Sequence, residues 1–152
     1  MPNTVAPLGT AKVLISAALP TTFDDDGSTG FPSVAMTALA ELVNLGNLGE
    51  TVGEIPYNSS ESRITQKFKG QINKGSVTFL LGRDDDDAGH VIAVAALASD
   101  NDYTIEIAYD DGESDWFTGK VMSFMSTSGG VEAIVQRELT IAVTQGYITA
   151  TT

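Results

Sequence analysis

The segment 102–125, DYTIEIAYDDGESDWFTGKVMSFM, decides the fold more than any other part of the sequence. In its first half, large apolar side chains alternate with smaller or polar ones, which is the period of a β-strand with two different faces. The apolar positions are Tyr103, Ile105, Ile107 and Tyr109, and the positions between them are Thr104, Glu106 and Ala108. Asp111-Gly112 is a strong signal for a tight turn, and 114–125 supplies the returning strand. The segment predicts an antiparallel hairpin with Ile105 and Ile107 directed towards a core.

Five further segments have the composition or alternation of strands. They are 11–17, 39–46, 63–70, 75–82 and 134–144. We expect QINKG at 71–75 to join 63–70 to 75–82 as a second hairpin, with Ile64 and Phe68 on one side of its first strand.

The segment 84–99, DDDDAGHVIAVAALAS, predicts the one helix of the chain. Aspartates at its start cap a helix and complement its dipole. The residues expected on its apolar face are the alanines with Val91, Ile92, Val94 and Leu97. His90 is interpreted as a solvated or capping side chain.

These elements predict a mainly β fold, a β-sandwich or barrel of about seven strands with one flanking α-helix and extended terminal arms. We expect one domain over 1–152. Its remaining parts are expected to be irregular: an N-terminal arm at 1–10, an acidic loop or exposed insertion at 19–33, a long loop at 46–62, a turn at 127–133 and a C-terminal arm at 146–152.

Composition narrows the function. The net charge is −12 and the pI is near 4.1, so the chain repels nucleic acid. It has no cysteine and a single histidine, His90, which excludes thiolate metal sites and a histidine-based zinc site. No apolar run reaches membrane-spanning length, and the first residues, MPNTVAPLGTAK, lack the pattern of a signal peptide. We expect no membrane partner.

Several clusters contain residue types that carry out chemistry in other proteins. The aspartates at 24–26 and 84–87 lack EF-hand spacing, so solvation and helix capping are the favoured interpretations over calcium binding. The carboxylates of Asp110, Asp111, Glu113 and Asp115 belong to an exposed turn, which suits no general acid. No nucleophile elbow or phosphate loop is present. We therefore expect no catalytic residue, no metal and no cofactor.

Two side-chain groups have structural interpretations instead. Trp116, Phe117 and Phe124 are expected in the core rather than in a ligand-stacking patch. The cations Arg63, Lys67 and Lys69 share one strand face and are expected to form ion pairs.

The order of these features resembles that of the tail tube (major tail) proteins of long-tailed bacteriophages. The resemblance covers most of 40–146. It rests on the glycine-rich NLGNLGE at 44–50, on ESR at 61–63 before a strand ending at Gly70, on KGSVTF at 74–79 before the acidic helix start, and on IEIAYDDG at 105–112, WFTGKV at 116–121 and SGGV at 128–131. Tubes of contractile tails and of secretion systems are related architectures.

The resemblance implies a structural virion protein, not an enzyme. It implies hexameric rings whose strands form one continuous inner barrel, and stacking of the rings through the arms and the long loop. DNA would pass through the lumen without specific binding during ejection. The other partners would be further phage tail proteins, and the location would be the virion tail after synthesis in the host cytoplasm.

Within this expectation, the face of the last strand that does not pack inward would line the lumen. That face holds Gln136, Glu138 and Thr140, and Glu41 of the early strand would join them. Val52, Ile55 and Tyr57 of the long loop are the expected inter-ring contacts. The alternative is a virion decoration protein or another β-sandwich interaction module that forms no tube.

Overall fold

A computed structural model describes residues 11–39, 42–61, 63–110, 112–127 and 135–151, and for 127 and 146–151 it describes the backbone only. The described part contains nine strands, one helix and a short 3-10 turn. The strands are β1 Lys12–Ser16, β2 Thr37–Leu39, β3 Leu42–Leu45, β4 Thr51–Tyr57, β5 Gln66–Asn73, β6 Ser76–Gly82, β7 Tyr103–Ala108, β8 Glu113–Thr127 and β9 Gln136–Thr151. The helix α1 is Ala88–Leu97, and the 3-10 turn is Phe31–Ser33.

Seven strands form one antiparallel sheet in the order β2-β1-β7-β8-β9-β6-β3. Its edge strands β2 and β3 are neighbours in the chain, so Leu39 and Leu42 are at most about 11 Å apart. Seven strands laid flat would separate the outer two by about 29 Å. The sheet therefore has to curl until its edges approach each other. The predicted fold class, mainly β with one helix, is confirmed.

The inner face of this curled sheet carries the main core. Alternate residues of β1, β6, β7 and β9 point into it, as the pleat of a strand requires. Ten large side chains there have no solvent exposure: Val13, Ile15, Val77, Phe79, Leu81, Ile105, Ile107, Phe117, Leu139 and Ile141. Each contributes about 1.5–3 kcal/mol by its burial.

The predicted hairpin of 102–125 is confirmed as the pair β7–β8. Ile105 lies opposite Phe117, and the turn places Gly112 at φ 88°, a conformation that glycine adopts without steric cost. The backbone N–H of Tyr109 donates to the Glu113 carbonyl at 2.9 Å and closes the hairpin. β8 continues to Thr127 and pairs with β9 along nearly its whole length.

The second predicted hairpin is wrong. β5 pairs with β4, whereas β6 lies between β3 and β9. The reason is what each strand can bury. β6 presents Val77, Phe79 and Leu81 to the core, but β5 alternates Phe68 with lysines and turns away from the sheet. The two residues between them, Lys74 and Gly75, allow this divergence because Gly75 takes φ 78°.

The long loop predicted at 46–62 is also wrong in part, because 51–57 is strand β4. This segment contains a glycine and a proline, which are typical of turns. The strand gains backbone hydrogen bonds from β5, and it does not contribute to a core. The strand predicted at 39–46 is two short strands, β2 and β3, on opposite edges of the sheet.

At the other end of the chain, the predicted C-terminal arm of 146–152 is wrong, since β9 continues through Thr151. Its backbone pairs with the first half of β8 there, with Thr151 opposite Glu113. The predicted N-terminal arm at 1–10 and all of the predicted turn at 127–133 except Thr127 lie outside the described residues.

The outer face of β7 and β8 is covered by the segment 19–36, although 19–33 is predicted to be a loop or an exposed insertion. Phe31 is fully buried and stacks on Trp116 with ring centroids 6.1 Å apart, and Met36 packs against them. Trp116 and Phe117 are both core residues, as predicted, but they belong to two cores on opposite faces of β8. Phe124 is partly buried against the main core.

Candidate functional site

The outer face of β9 brings together three of the residues predicted to line a lumen. Gln136, Glu138 and Thr140 alternate with core-facing Leu139 and Ile141, and all three are half-buried on the face opposite the main core. The Thr140 hydroxyl lies 3.3 Å from that of Thr78 on β6. The fourth predicted residue, Glu41, lies outside the described residues.

Charge is sparse on this face. Glu138 lies opposite Leu80 on β6 and Met125 on β8, and Met125 is more than half exposed. Lys120, further along β8, forms an ion pair with Asp102 at 2.8 Å. This pair, together with a hydrogen bond from Thr144, holds the pKa of Asp102 below its usual value. Among the described side chains of β6 and of 136–142, Glu138 is the acidic one and Arg137 the basic one, and Arg137 is paired with Asp85.

The pair β4–β5 forms a separate two-stranded sheet that projects from β3 and β6. Every residue of β4 is exposed, and so is every residue of β5 except Gly70, which is half-buried. An isolated two-stranded sheet is marginally stable in water, because it has no core. This sheet, which we term the projecting hairpin (51–73), therefore gains little from the rest of its own subunit.

The projecting hairpin has two unlike faces. Ile55 lies opposite Phe68, and Tyr57 lies two residues further on the same face, so this face is apolar. The side chains of Ile55 and Phe68 are 53% and 55% exposed. On the other face, Lys67 forms an ion pair with Glu54 at 3.6 Å.

Val52, the third predicted contact residue, lies opposite Ile72 near the base of the hairpin. The register shifts between Val52 and Glu54, so the base does not continue the alternation of the tip. Val52 lines a shallow hollow of about 230 Å³ together with Glu54, Lys67 and Lys69. The structure thus places Ile55 and Tyr57 together and Val52 apart from them.

The helix α1 is oriented differently from the sequence prediction. Its buried residues are Gly89, His90, Ala93 and Ala96, and the larger apolar side chains Val91, Val94 and Leu97 are exposed. Small residues face inward because the helix packs closely on the sheet: a side chain at Gly89 would collide with the backbone of Ala38 on β2. The predicted broad apolar face is therefore divided: its alanines Ala93 and Ala96 are buried, whereas Val91, Val94 and Leu97 are exposed.

His90 is buried too, contrary to the predicted solvated or capping side chain. It is 1% exposed, and its ring lies 5.9 Å from that of Phe124. The cap of the helix is Asp87, whose carboxylate accepts a hydrogen bond from the backbone N–H of His90 at 3.2 Å. The predicted role of the aspartate run as a helix cap is confirmed at Asp87.

Another aspartate of that run ties the helix start to the sheet. The carboxylate of Asp85 forms ion pairs with Arg83 at 2.9 Å and with Arg137 at 2.6 Å. The hydrogen bond from Arg83 and the charge of Arg137 hold the pKa of Asp85 below its usual range. Arg137 also stacks over the ring of Phe124 at 4.8 Å. A cavity of about 260 Å³ lies at this position and is lined by Asp85, His90, Val91, Val94 and Arg137.

The described residues offer no metal-binding group of three or more His, Asp or Glu side chains. In the loop 22–30, the Asp24 carboxylate accepts hydrogen bonds from Thr22 and from the backbone of Asp26, which is the geometry of a turn. Asp115 accepts a hydrogen bond from the Tyr109 hydroxyl at 2.8 Å. Within the described part of the chain, no helix is long and apolar enough to cross a membrane.

Solved structures share this fold at low sequence identity. The SPP1 tail tube matches with a TM-score of 0.65 at 14% identity, over 96% of this chain and 80% of that chain. The PVC sheath–tube complex of an extracellular contractile injection system matches with a TM-score of 0.64 at 14% identity, over 98% and 93%. The baseplate of the anti-feeding prophage matches with a TM-score of 0.66 at 11% identity, over 94% of each chain.

The sequence matches no protein-family model and no curated protein. The structural matches therefore carry the comparison, and at these identities they establish the fold. The resemblance to tail tube proteins is confirmed at that level: this chain has the fold seen in a phage tail tube and in contractile injection systems.

Proposed function

We propose that this chain is a structural virion protein that assembles into stacked hexameric rings and so forms the tube of a phage tail. The observation that carries the proposal is the projecting hairpin on a tail-tube fold. A two-stranded sheet with exposed Ile55, Tyr57 and Phe68 is costly for an isolated subunit, because its apolar surface remains in water. Assembly gives that surface a partner.

Stacking is the role we assign to this hairpin. Ile55 and Tyr57 share its apolar face and would contact a subunit of the adjacent ring, and Val52 would contribute from the base. Unpaired strand edges on a hairpin invite association with another chain. The position of the hairpin outside the seven-stranded sheet leaves it free to reach beyond its own ring.

The lumen is the role we assign to the outer face of β9, with Gln136, Glu138 and Thr140, and we extend it to Glu41. A conduit for DNA has to avoid binding phosphates. One acidic residue among neutral ones gives weak repulsion at the wall, and a hexameric ring of subunits at −12 each would carry about −72 in total. DNA would pass during ejection without specific contacts.

The proposal has no enzymatic component. The partners would be further copies of this chain and other tail proteins, and the location would be the virion tail after synthesis in the host cytoplasm. We propose no cofactor.

Electron microscopy of the purified protein over a range of concentrations tests the proposal. We expect hollow rings or tubes above a threshold concentration, with sedimentation showing monomers below it. Particles that remain monomeric or form compact trimers at every concentration would contradict tube formation and favour the alternative, a decoration protein or other β-sandwich interaction module.

A further inference from the structure

The exposed side of α1 is apolar along its whole length. Val91, Val94, Ala95 and Ala98 are exposed and follow one another at helical spacing, with Leu97 beside them. The helix contains no aspartate, glutamate, lysine or arginine, and its His90 is buried. A helix that is hydrophobic on all sides is typical of a protein interior. We therefore expect another protein surface to pack on this outer stripe.

The stripe also borders a depression. The cavity lined by Val91, Val94 and His90 has a volume of about 260 Å³, and Asp85 and Arg137 form its polar end. A volume of this size accommodates a large apolar side chain inserted beside the helix.

The projecting hairpin provides a matching apolar surface. Its Ile55, Tyr57 and Phe68 are each exposed by more than half, and they lie on one face. The two surfaces belong to different elements, since the hairpin extends from β3 and β6 whereas α1 packs on β1, β2 and β8.

The charges of the two surfaces are complementary. Residues 50–74, which include the Glu50–Lys74 ion pair, carry four basic side chains against three acidic ones, a balance of +1 in a chain whose total is −12. Residues 83–100 around the helix carry five aspartates and one arginine, a balance of −4, which Arg137 beside Asp85 reduces to −3. Opposite charges on two apolar surfaces fix their orientation and raise the rate of encounter.

We propose that the apolar stripe of α1 is the docking site for the projecting hairpin of a second copy of this chain. Ile55, Tyr57 and Phe68 of one copy would pack on Val91 and Val94 of the next, with the hairpin's basic side chains near the aspartates at the helix start. When the hairpins of one ring dock on the helices of the next ring, the contact is heterologous and propagates as an open stack. This inference rests on the proposed self-assembly and names its contact.

Single-cysteine variants test the contact directly, because the natural chain has no cysteine. Phe68→Cys and Val94→Cys change exposed side chains, so the fold should remain, as thermal melting will verify. One variant carries a size tag. The two are mixed, assembled and treated with a short bifunctional maleimide. We expect the mixture to give a cross-linked dimer of one tagged and one untagged copy. Its yield should exceed at least tenfold the yield of cross-linked dimer from either variant assembled alone.

The matched control is Phe68→Cys mixed with Ser28→Cys, whose exposed serine lies in the 19–36 segment, and this pair should not cross-link. If a cysteine at Phe68 or Val94 impairs assembly, Ile55→Cys with Leu97→Cys serves as the second pair with the same expected result.

The outcomes separate the inference from the proposed function. Tubes without the cross-link, or with cross-linking of Val94→Cys to itself at the same yield, would overturn the docking site and leave tube formation intact. Failure of the unaltered protein to assemble at any concentration would overturn both. A different protein covering the helix would leave the mixed pair uncross-linked in assembled tubes.

Discussion

The two hairpins of this chain, β7–β8 and β4–β5, have the same antiparallel pairing and opposite environments. All of Tyr103–Ile107 on β7 is buried, whereas every residue of β4 is exposed. The first is covered on both faces by its own subunit, by the main core and by the 19–36 segment. The second has only its partner strand. The first hairpin is therefore part of the folded core, whereas the second is the one to which we assign assembly.

Replacing the projecting hairpin tests this division with the largest expected effect. Gly49 and Gly75 approach each other at its base, and Glu50 pairs with Lys74 at 3.3 Å, so an Asn-Gly turn in place of 51–73 spans the gap. We expect a folded monomer with an unchanged core and a complete loss of tubes by electron microscopy. Normal tubes from this variant would remove the assembly role.

A matched pair of truncations compares how much one side chain of each hairpin contributes to the free energy of unfolding. Ile107→Ala removes a fully buried side chain and should cost about 2–4 kcal/mol in the free energy of unfolding. Ile55→Ala alters a 53% exposed side chain and should change the monomer by no more than about 0.5 kcal/mol. Denaturant titration of dilute monomers measures both. Equal losses would break the comparison.

The same contrast between the two hairpins explains which parts of the fold could be predicted from the sequence. The β7–β8 hairpin could be predicted, because alternation and Asp111-Gly112 are local signals and its core residues are large. β4 could not, because none of its side chains is buried and the register shift between Val52 and Glu54 interrupts the alternation that ends in Ile55 and Tyr57. Likewise the orientation of α1 depends on close packing of Gly89 against β2, whereas the sequence shows only that both helix faces are apolar.

The candidate lumen residues were partly predictable for a similar reason. Alternation along β9 correctly puts Gln136, Glu138 and Thr140 on one face, opposite Leu139 and Ile141. What alternation leaves open is which surface faces the axis of an assembly, since that depends on contacts between copies.

Reversing charge on that face sharpens the assignment. Glu138→Lys should leave tubes intact, because the side chain lies away from the core, and it should reduce infectivity by attracting phosphates to the wall. Asp25→Lys, an equal charge change at an exposed position of the 19–36 segment, is the control for net charge. If both variants infect equally well, Glu138 has no role in DNA passage.

The smallest expected effect concerns Glu106, on the covered hairpin. Burial raises the pKa of its carboxyl above 4.5, and the Ser114 hydroxyl offsets part of the rise. The folded state therefore holds this proton more tightly than the unfolded state, and the ionised form destabilises the fold above the folded pKa. Glu106→Gln should be more stable than the unaltered protein at neutral pH, and the advantage should vanish as pH falls towards 4.5. A gain independent of pH would exclude burial of the charge as its cause.

A cryo-electron microscopy reconstruction of the assembled protein would reveal the lumen and the hairpin contact together. We expect a hollow tube in which Glu138 faces the axis and the projecting hairpin contacts a different subunit, while β7–β8 contacts its own core as in the monomer. A reconstruction with Glu138 on the outer surface, or with the hairpin free in solvent, would contradict it.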